Sequence, residues 1–297
     1  MSTPSTSPYG KPPRGYRLPD ATRLGRAVLQ VADLTRSIAY YERVIGLAVL
    51  DRSGGTALLG GEGGPPFLEL HERPGARPMT HLGRLGLYHF AILLPERAAL
   101  GRFIAHLGRM AAYAGMSDHL VSESVYLTDP DGLGIEVYAD RPRGTWKTRG
   151  REIVMATEPL DVEAVVADGA GEPWTGAPAG TVLGHVHLHV GSLAEGSAFY
   201  HQGVGFDEVV WSYPEALFLS AGGYHHHLGT NTWARGAMPA GPDDARLLEW
   251  EILVPSLADA AAALASVAAT GAPVEETPTG GVARDPWGVG VRFRAAP

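Results

Sequence analysis

Three histidines alternate with apolar residues in one short segment of the chain. The segment reads VLGHVHLHV and contains His185, His187 and His189, each separated from the next by one residue. Because successive side chains of a β-strand point to opposite faces, the three imidazoles are predicted to share one face, while the valines and leucine face the core. Imidazole nitrogens bind transition metals and exchange protons near neutral pH, so this strand is a candidate for metal or acid–base chemistry.

The histidine strand opens one of four related repeats. From Leu24 the chain reads LGRAVLQVADLTRSIAYYERVIGLAVL, and from Leu183 it reads LGHVHLHVGSLAEGSAFYHQGVGFDEVV. Both runs show a strand, a turn before a helix, and a glycine before the next strand. Weaker copies begin at Leu87 and Leu247, and each of these closes with an Asp-Pro turn and a final strand. The repeats predict four tandem βαβββ modules, a fold of the α+β class.

A connector rich in proline, glycine and acidic residues, 141–180, separates the first two repeats from the last two. It is the best candidate for a domain boundary. We therefore expect a flexible leader over 1–22, a first domain of modules one and two over 23–140, and a second domain of modules three and four over 181–297.

Aligning the repeats places different chemical groups at equivalent strand positions. The opening strands of modules one to four carry Arg26, His89, His185 and Glu249. The closing strands of modules one, two and four carry Glu69, Glu136 and Arg292. In the closing strand GIEVYAD, alternation sends the isoleucine and valine to the core, so Glu136 and Tyr138 face the same side as the histidines of the opening strands.

This pattern resembles the vicinal oxygen chelate superfamily, which includes glyoxalase I, the fosfomycin-resistance proteins and the type I extradiol dioxygenases. The resemblance spans residues 23–295. Within it, the runs GLYHFAILLP, SDHLVSESVYLTDPDGLGIEVYADRP, GTVLGHVHLHV and GGYHHHLGTNTW are similar to the two-domain, catechol-2,3-dioxygenase-like branch. The resemblance implies modules paired into two cup-shaped half-barrel sheets with helices outside, one metal ion in a cup, and an oxidoreductase that cleaves a small catecholic aromatic with O₂.

The pairing of the modules decides which side chains share a cup. If modules two and three pair, their cup holds His89, Glu136, His185 and one of His225 or His227, with His227 as the candidate fourth ligand. Two histidines and one carboxylate suit Fe(II) with open positions, and Mn, Zn or another divalent metal also accepts them. The other cup would then hold the charge-balanced set Arg26, Glu69, Glu249 and Arg292, closed by ion pairs. This complementarity favours the two-plus-three pairing.

The alternative pairing joins module one with two and module three with four, as in many extradiol enzymes. It would set His89 and Glu136 opposite Arg26, where the extradiol pattern has histidine. A site in the third and fourth modules would then consist of His185, His227 and Glu249. The sequence leaves both pairings open.

Two further residues take their expected roles from the resemblance. His119 and Tyr126 lie seven residues apart, ahead of an Asp-Pro turn. They resemble the histidine and tyrosine that assist proton transfer beside the metal in extradiol enzymes, although their spacing is shorter than in the best-known members. Their expected role is general acid–base catalysis next to a metal-bound catecholate.

Composition excludes several classes of function. The net charge of −8 and a pI near 5.8 leave no basic face for a nucleic acid. The chain has no cysteine, which excludes disulfides, thiolate catalysis and cysteine-bound zinc. No apolar run approaches the roughly 20 residues that span a bilayer, and the Ser/Thr/Pro-rich start lacks the apolar core of a signal peptide. We expect a cytoplasmic protein without a membrane or nucleic-acid partner, and leave homo-oligomer formation open.

Two other functions use the same cup. A redox-neutral metalloenzyme of the glyoxalase or lyase type would use the ion to stabilise an enediolate. A non-catalytic protein would hold a small ligand without turnover, because a fold does not fix a function. Metal content and turnover of catechol in air distinguish the three possibilities.

Overall fold

Each of the four repeats folds as one βαβββ module, which confirms the predicted fold class. The computed structural model describes residues 8–80, 83–112 and 114–297. Module one consists of β1 (Arg23–Val31), α1 (Leu34–Tyr40, continued by a π-helical turn, Tyr41–Ile45), β2 (Ala48–Ser53), β3 (Thr56–Gly60) and β4 (Leu68–Glu72). Module two consists of β5 (Gly86–Leu93), α2 (Arg97–Arg109), β6 (Gly115–Asp118), β7 (Ser122–Thr128) and β8 (Gly134–Asp140).

The connector has short elements of its own, and the last two modules repeat the pattern of the first two. The connector contains a 3₁₀ turn (Arg143–Thr145), β9 (Thr148–Arg149), β10 (Glu152–Ile153) and α3 (Val162–Asp168). Module three consists of β11 (Val182–His189), α4 (Leu193–Gly196, continued by a π-helical turn, Ser197–Gly203), β12 (Asp207–Val210), β13 (Ala216–Ser220) and β14 (Leu228–Asn231). Module four consists of β15 (Arg246–Val254), α5 (Leu257–Ala269), β16 (Val274–Thr277), β17 (Gly280–Arg284) and β18 (Gly290–Ala295).

Polar side chains start three of the module helices. Asp33 accepts the N–H of Arg36 at 2.9 Å at the start of α1. Ser192 and Ser256 accept the N–H three residues further on at the starts of α4 and α5. Each cap satisfies an N–H group that has no partner within the helix, which fixes where the chain turns from strand to helix.

Modules two and three share one sheet, and modules one and four share the other. The first sheet has the strand order β12-β13-β14-β11-β5-β8-β7-β6, and the second has the order β16-β17-β18-β15-β1-β4-β3-β2. At the centre of each sheet, the opening strands of the two modules run antiparallel, β5 against β11 and β1 against β15. The favoured two-plus-three pairing is thus the observed one, and the one-plus-two and three-plus-four alternative is wrong.

The segments 23–140 and 181–297 each contribute one module to each sheet, so neither closes a cup by itself. Buried side chains from both sheets also belong to one continuous apolar core, among them Leu29, Phe90, Leu188 and Trp250. The division of the chain into two domains at 141–180 stays a prediction. Each cup combines one module from before that connector with one module from after it.

Residues 8–22 are packed onto module three, which differs from the flexible leader expected there. Arg17 forms two hydrogen bonds with the buried carboxylate of Asp207, at 2.8 and 2.5 Å. Leu18 is 2% exposed, and its N–H donates to the carbonyl of Gly205. The composition of this segment did not predict the packing, because one ion pair and one buried apolar side chain are enough to hold it. Residues 1–7 lie outside the described residues.

Two equivalent hydrogen bonds tie modules that follow each other in the chain but belong to different sheets. The Tyr41 hydroxyl donates to Asp129 at 3.1 Å, and the Tyr200 hydroxyl donates to Asp285 at 2.8 Å. Both carboxylates belong to the Asp-Pro turns noted in the sequence. Burial raises the pKa of Asp129 to about 7 and that of Asp285 to about 6. The ionised forms of these two side chains are therefore disfavoured inside the protein.

Asp129→Asn is expected to gain stability relative to the unmodified chain as the pH rises. The pKa of Asp129 is about 7 in the folded state and about 3.9 when unfolded. The stability that this side chain contributes is therefore fully present below the unfolded pKa. It is lost as the pH rises through 7, by roughly 2 kcal/mol between about pH 5 and about pH 7.5. Urea unfolding of chelator-treated protein measures this difference in the free energy of unfolding. The pH dependence that comes from buried histidines cancels, because both chains carry the same histidines.

Asp51→Asn is the matched control for this comparison, because Asp51 is an exposed residue of β2. Its stability relative to the unmodified chain should not vary with pH over the same range. A pH-independent difference for Asp129→Asn would contradict the raised pKa of the buried carboxylate.

Candidate metal centre and substrate pocket

Three buried side chains of the first sheet bring one donor atom each to a common point. Nε2 of His89 lies 3.0 Å from Oε2 of Glu136, and Nε2 of His185 lies 3.1 Å from the same oxygen. The two Nε2 atoms are 3.3 Å apart. None of the three residues is more than 4% exposed. Among the described residues, this is the one group of three such side chains whose donor atoms could surround a metal ion.

Strand register explains why residues so far apart in the sequence meet. Ala91 of β5 is paired with Glu136 on β8 at one side and with His185 on β11 at the other. His89 lies two residues before Ala91 and therefore on the same face of the sheet. The antiparallel contact between modules two and three thus brings both histidines and the carboxylate into one cup.

The protonation states suit a set of metal donors. Burial alone would raise the pKa of Glu136, but its interactions with His185 and His89 hold it well below its usual range. Burial lowers the pKa of His185 to about 4. Near neutral pH the cup therefore presents a carboxylate and a neutral imidazole from these two residues, which are the forms that bind metal ions.

Neighbouring side chains fix the orientation of these donors. The Ser124 hydroxyl donates to Oε1 of Glu136 at 2.6 Å, which leaves Oε2 facing the histidines. The His185 ring lies between the rings of His226 and Tyr138, with centroids at 4.0 and 4.9 Å. Gly184 is required beside it, because a Cβ atom there would lie 1.9 Å from the Tyr138 hydroxyl oxygen. Packing therefore orients the imidazole of His185.

His227, the candidate fourth ligand, lies outside the cluster. Its Nδ1 accepts the N–H of Ala221 at 3.2 Å, and its ring stacks on Phe206 in the interior. His225 is also turned away, because its Nε2 lies 2.7 Å from a carboxylate oxygen of Asp140. The prediction used the strand alternation set by Leu228, but β14 begins only at that residue. The three histidines precede the strand and do not follow its alternation.

His226 is the histidine of this run that lines the pocket, and the sequence reasoning missed it. Its Nδ1 lies 2.8 Å from Nδ1 of His225. Since the Asp140 carboxylate can only accept, His225 donates from Nε2, and in the tautomer with that single proton its Nδ1 accepts from His226. Burial lowers the pKa of His226 well below its usual range. Its Nε2 thus carries a free lone pair beside the cluster.

His119 and Tyr126 form a second hydrogen-bonded pair at the pocket wall. Nδ1 of His119 lies 2.7 Å from the carbonyl oxygen of Ala156, and its Nε2 lies 2.5 Å from the Tyr126 hydroxyl oxygen. A carbonyl can only accept, so Nδ1 of His119 donates to it, and in that tautomer Nε2 accepts from Tyr126. The structure therefore brings together the two residues that the resemblance paired.

The donor cluster lies in a cavity of about 200 Å³. The lining residues are Tyr88, His89, Ser117, His119, Tyr126, Glu136, Met155, Thr157, His185, His187, Tyr213, Phe218, His226 and Trp233. Aromatic rings make up much of the wall. Met155 and Thr157 come from the connector, which the sequence reasoning treated only as a boundary. Its Pro/Gly-rich composition gave no sign that it packs over the cup.

The second cup contains the charged set that the sequence placed there. Arg26 pairs with Glu69 at 2.9 Å, and Arg292 pairs with Glu249 at 2.6 Å. The predicted ion pairs are therefore formed. A buried carboxylate that the alignment did not select, Glu251, also binds Arg26 at 3.1 Å. The two cups therefore share one backbone plan and differ in chemistry.

Fold and site define a protein of paired βαβββ modules with a buried His–His–Glu cluster in one of two cups. The model of the Glyoxalase/Bleomycin resistance protein/Dioxygenase superfamily matches residues 23–137 and 182–293. A protein of Bacillus subtilis (strain 168) named catechol-2,3-dioxygenase is 45% identical over 237 residues, which are 78% of this chain and 82% of the relative. The chain belongs to this superfamily, in its dioxygenase branch, and the prediction of a dioxygenase-type oxidoreductase is confirmed.

Solved structures agree with the fold. A protein from Bacillus subtilis subsp. subtilis str. 168, assigned as a dioxygenase, superposes with a TM-score of 0.64 at 14% identity, over 95% of this chain and 87% of that one. Glyoxalase I from Zea mays superposes with a TM-score of 0.55 at 19% identity, over 93% and 92%. At these identities the likeness concerns the fold alone.

Within the described residues, no helix is both long and apolar enough to cross a membrane. The cytoplasmic location stays a prediction from the sequence.

Proposed function

We propose that the chain is an extradiol dioxygenase that opens the ring of a small catecholic aromatic with O₂. The proposed site is a divalent metal ion held by His89, Glu136 and His185. The observation that carries the proposal is the convergence of their three donor atoms at the wall of an aromatic-lined pocket. The relative named catechol-2,3-dioxygenase supports the reaction class.

The donor set and its spacing fit a divalent transition metal. Donors bonded at about 2.1 Å and at right angles to each other are about 3.0 Å apart. The three separations in the cluster are 3.0, 3.1 and 3.3 Å. Two imidazoles and one carboxylate on one side of the ion are the set used by non-haem Fe(II) oxygenases, with other positions open. We therefore propose Fe(II), although Mn and Zn accept the same donors.

When bound, Fe(II) would stabilise the catecholate as a Lewis acid and provide a path for electrons between substrate and O₂. In the overall reaction a ring carbon–carbon bond beside a hydroxyl breaks, and both atoms of O₂ enter the product. The chain's own residues bind and orient the ring. Tyr88, Phe218 and Trp233 form apolar walls that can pack against an aromatic ring.

Tyr126 and His119 are proposed to move a proton during the reaction. The phenol oxygen of Tyr126 lies at the pocket wall, and its proton points to Nε2 of His119. A proton lost by a substrate hydroxyl can pass to the Tyr126 oxygen as the phenol proton passes to His119. The Ala156 carbonyl holds the His119 ring in the tautomer that this transfer needs.

His226 is proposed as a second proton-handling group, on the opposite side of the cluster. The chain from Asp140 through His225 leaves Nε2 of His226 as an acceptor. A carboxylate behind two hydrogen-bonded imidazoles stabilises positive charge on the outer ring when it takes up a proton. The cup thus offers a hydrogen-bond acceptor to each of the two hydroxyls of a catechol.

The test is catechol turnover by anaerobically purified protein loaded with Fe(II). We expect a yellow ring-fission product, consumption of one O₂ per catechol, and loss of both after chelation of the iron. Protein that holds metal but does not consume O₂ with any of a panel of monocyclic catechols would contradict the proposal and favour redox-neutral chemistry. Protein that binds a catechol without metal and without turnover would instead favour a binding protein.

A further inference from the structure

The second cup, built by modules one and four, contains an open cavity of about 560 Å³. Five arginines line it: Arg26, Arg246, Arg284, Arg292 and Arg294. This is the same position in the fold that holds the His–His–Glu cluster in the other cup. A cavity of this size falls in the range of small-molecule sites, so its charge distribution decides what it could bind.

Three of the five arginines are neutralised by carboxylates of the second sheet. The pairs are Arg26–Glu69, Arg26–Glu251, Arg292–Glu249 and Arg294–Glu251, at 2.9, 3.1, 2.6 and 3.1 Å. Three carboxylates thus balance three guanidinium groups. These pairs leave no surplus negative charge for other cations.

Arg246 and Arg284 remain without such a partner. In the part of the chain that the structure describes, neither side chain forms an ion pair or a hydrogen bond, and Nε of Arg246 is buried with no acceptor. The nearby carboxylate of Asp244 is occupied by Arg77 at 2.8 Å and by Arg84 at 3.1 Å. A buried donor without an acceptor is costly, so Nε of Arg246 favours an acceptor from a bound molecule, whereas the Arg284 side chain is exposed.

The two free guanidinium groups also act on each other. Arg246 opens β15 and Arg284 ends β17, and both strands pair with β18. Burial and the charge of Arg284 together lower the pKa of Arg246. Two like charges that face one cavity are stabilised by an anion between them, and planar guanidinium groups bind carboxylates and phosphates through paired hydrogen bonds.

We propose that the second cup binds a small metabolite through a carboxylate or phosphoryl group held between Arg246 and Arg284. Val28 and Leu248 provide apolar wall for the rest of the molecule, and Thr279 adds a hydroxyl. The site is separate from the His–His–Glu cup, so its occupancy does not depend on catalysis there. It gives the module pair that lacks metal donors a binding role.

The test measures binding of inorganic phosphate and of succinate to the full chain by isothermal titration calorimetry, at constant ionic strength with chloride. We expect saturable binding of at least one of the two probes at one site per chain. Arg246→Gln and Arg284→Gln should each weaken it by about 10-fold or more, because each removes charge-assisted hydrogen bonds. The same probe should raise the Tm of the unmodified chain and not that of the double variant.

Arg109→Gln is the control, because it removes the same charge from an exposed position of α2, outside both cups. It should bind the probe as the unmodified chain does. Circular dichroism in chloride checks that the Arg246 and Arg284 variants fold. The proposal is overturned if neither probe binds saturably, or if the folded double variant binds with unchanged affinity. Neither result would bear on the dioxygenase proposal.

Discussion

His185→Ala is expected to fold but to bind Fe(II) at least about 100-fold more weakly than the unmodified chain. Losses of 10- to 100-fold follow when a residue that only orients a metal ligand is removed, and His185 is proposed as a ligand itself. Without it, Glu136 keeps a partner in His89 at 3.0 Å, so the buried carboxylate is not left isolated. Ring cleavage should disappear together with the metal.

Elemental analysis of anaerobically purified protein and the Fe(II)-induced rise in Tm measure this effect. Binding of metal to the folded state alone raises the Tm of the unmodified chain, and the rise should vanish in the variant. His89→Ala should behave in the same way.

His227→Gln is the matched control, because His227 is also a buried histidine but bonds the N–H of Ala221 away from the cluster. It should keep its metal content. Unchanged metal content in His185→Ala would refute the proposed centre. Loss of metal in His227→Gln would show that His227 is a fourth ligand, contrary to its position outside the cluster.

The repeats in the sequence were sufficient to predict the modules, and charge complementarity was sufficient to favour the correct pairing. His89, Glu136 and His185 could be selected because strand alternation is strict and because they meet at one register position, Ala91. The set of arginines and glutamates in the other modules could not form such a cluster. A pattern of period two, combined with repeats, therefore carries information about contacts that are far apart in the sequence.

The contacts that could not be predicted from the sequence are made by segments without a regular spacing of apolar residues. The HHH run precedes β14, and its side chains are placed by Asp140, Ala221 and the ring of Phe206. The connector was read only by its composition, yet its Ala156 carbonyl fixes the tautomer of His119. Contacts of this kind depend on how a loop lies over a finished sheet, and no local pattern encodes that path.

The two cups show how one backbone plan serves different chemistry. His185 on its opening strand gives a neutral donor once buried, because an imidazole can lose its charge. The guanidinium group at the equivalent position, Arg26, cannot do so at neutral pH and is held in ion pairs with Glu69 and Glu251. A buried cup with neutral donors can take up a cation, whereas a cup with surplus arginine can take up an anion. The difference between the sheets follows from which side chains can be buried uncharged.

Tyr126→Phe and His119→Gln are each expected to lower kcat for ring cleavage by about 100- to 10,000-fold, the usual share of general acid–base catalysis. Neither residue belongs to the donor cluster, so metal content should remain that of the unmodified chain. The Tyr126 proton lies in a hydrogen bond to Nε2 of His119, at 2.5 Å. Removing either end breaks the same transfer, so the double variant should be scarcely slower than the slower single variant.

Steady-state kinetics with iron quantified in each sample separates this role from a structural one, since a proton-transfer defect lowers kcat much more than it changes KM. Tyr16→Phe serves as the control, because its hydroxyl bonds the Asp259 carbonyl at 3.2 Å, away from the pocket. It should retain full kcat. If the two single losses multiplied in the double variant, His119 and Tyr126 would act independently, and the relay that connects the pocket to the Ala156 carbonyl would not exist.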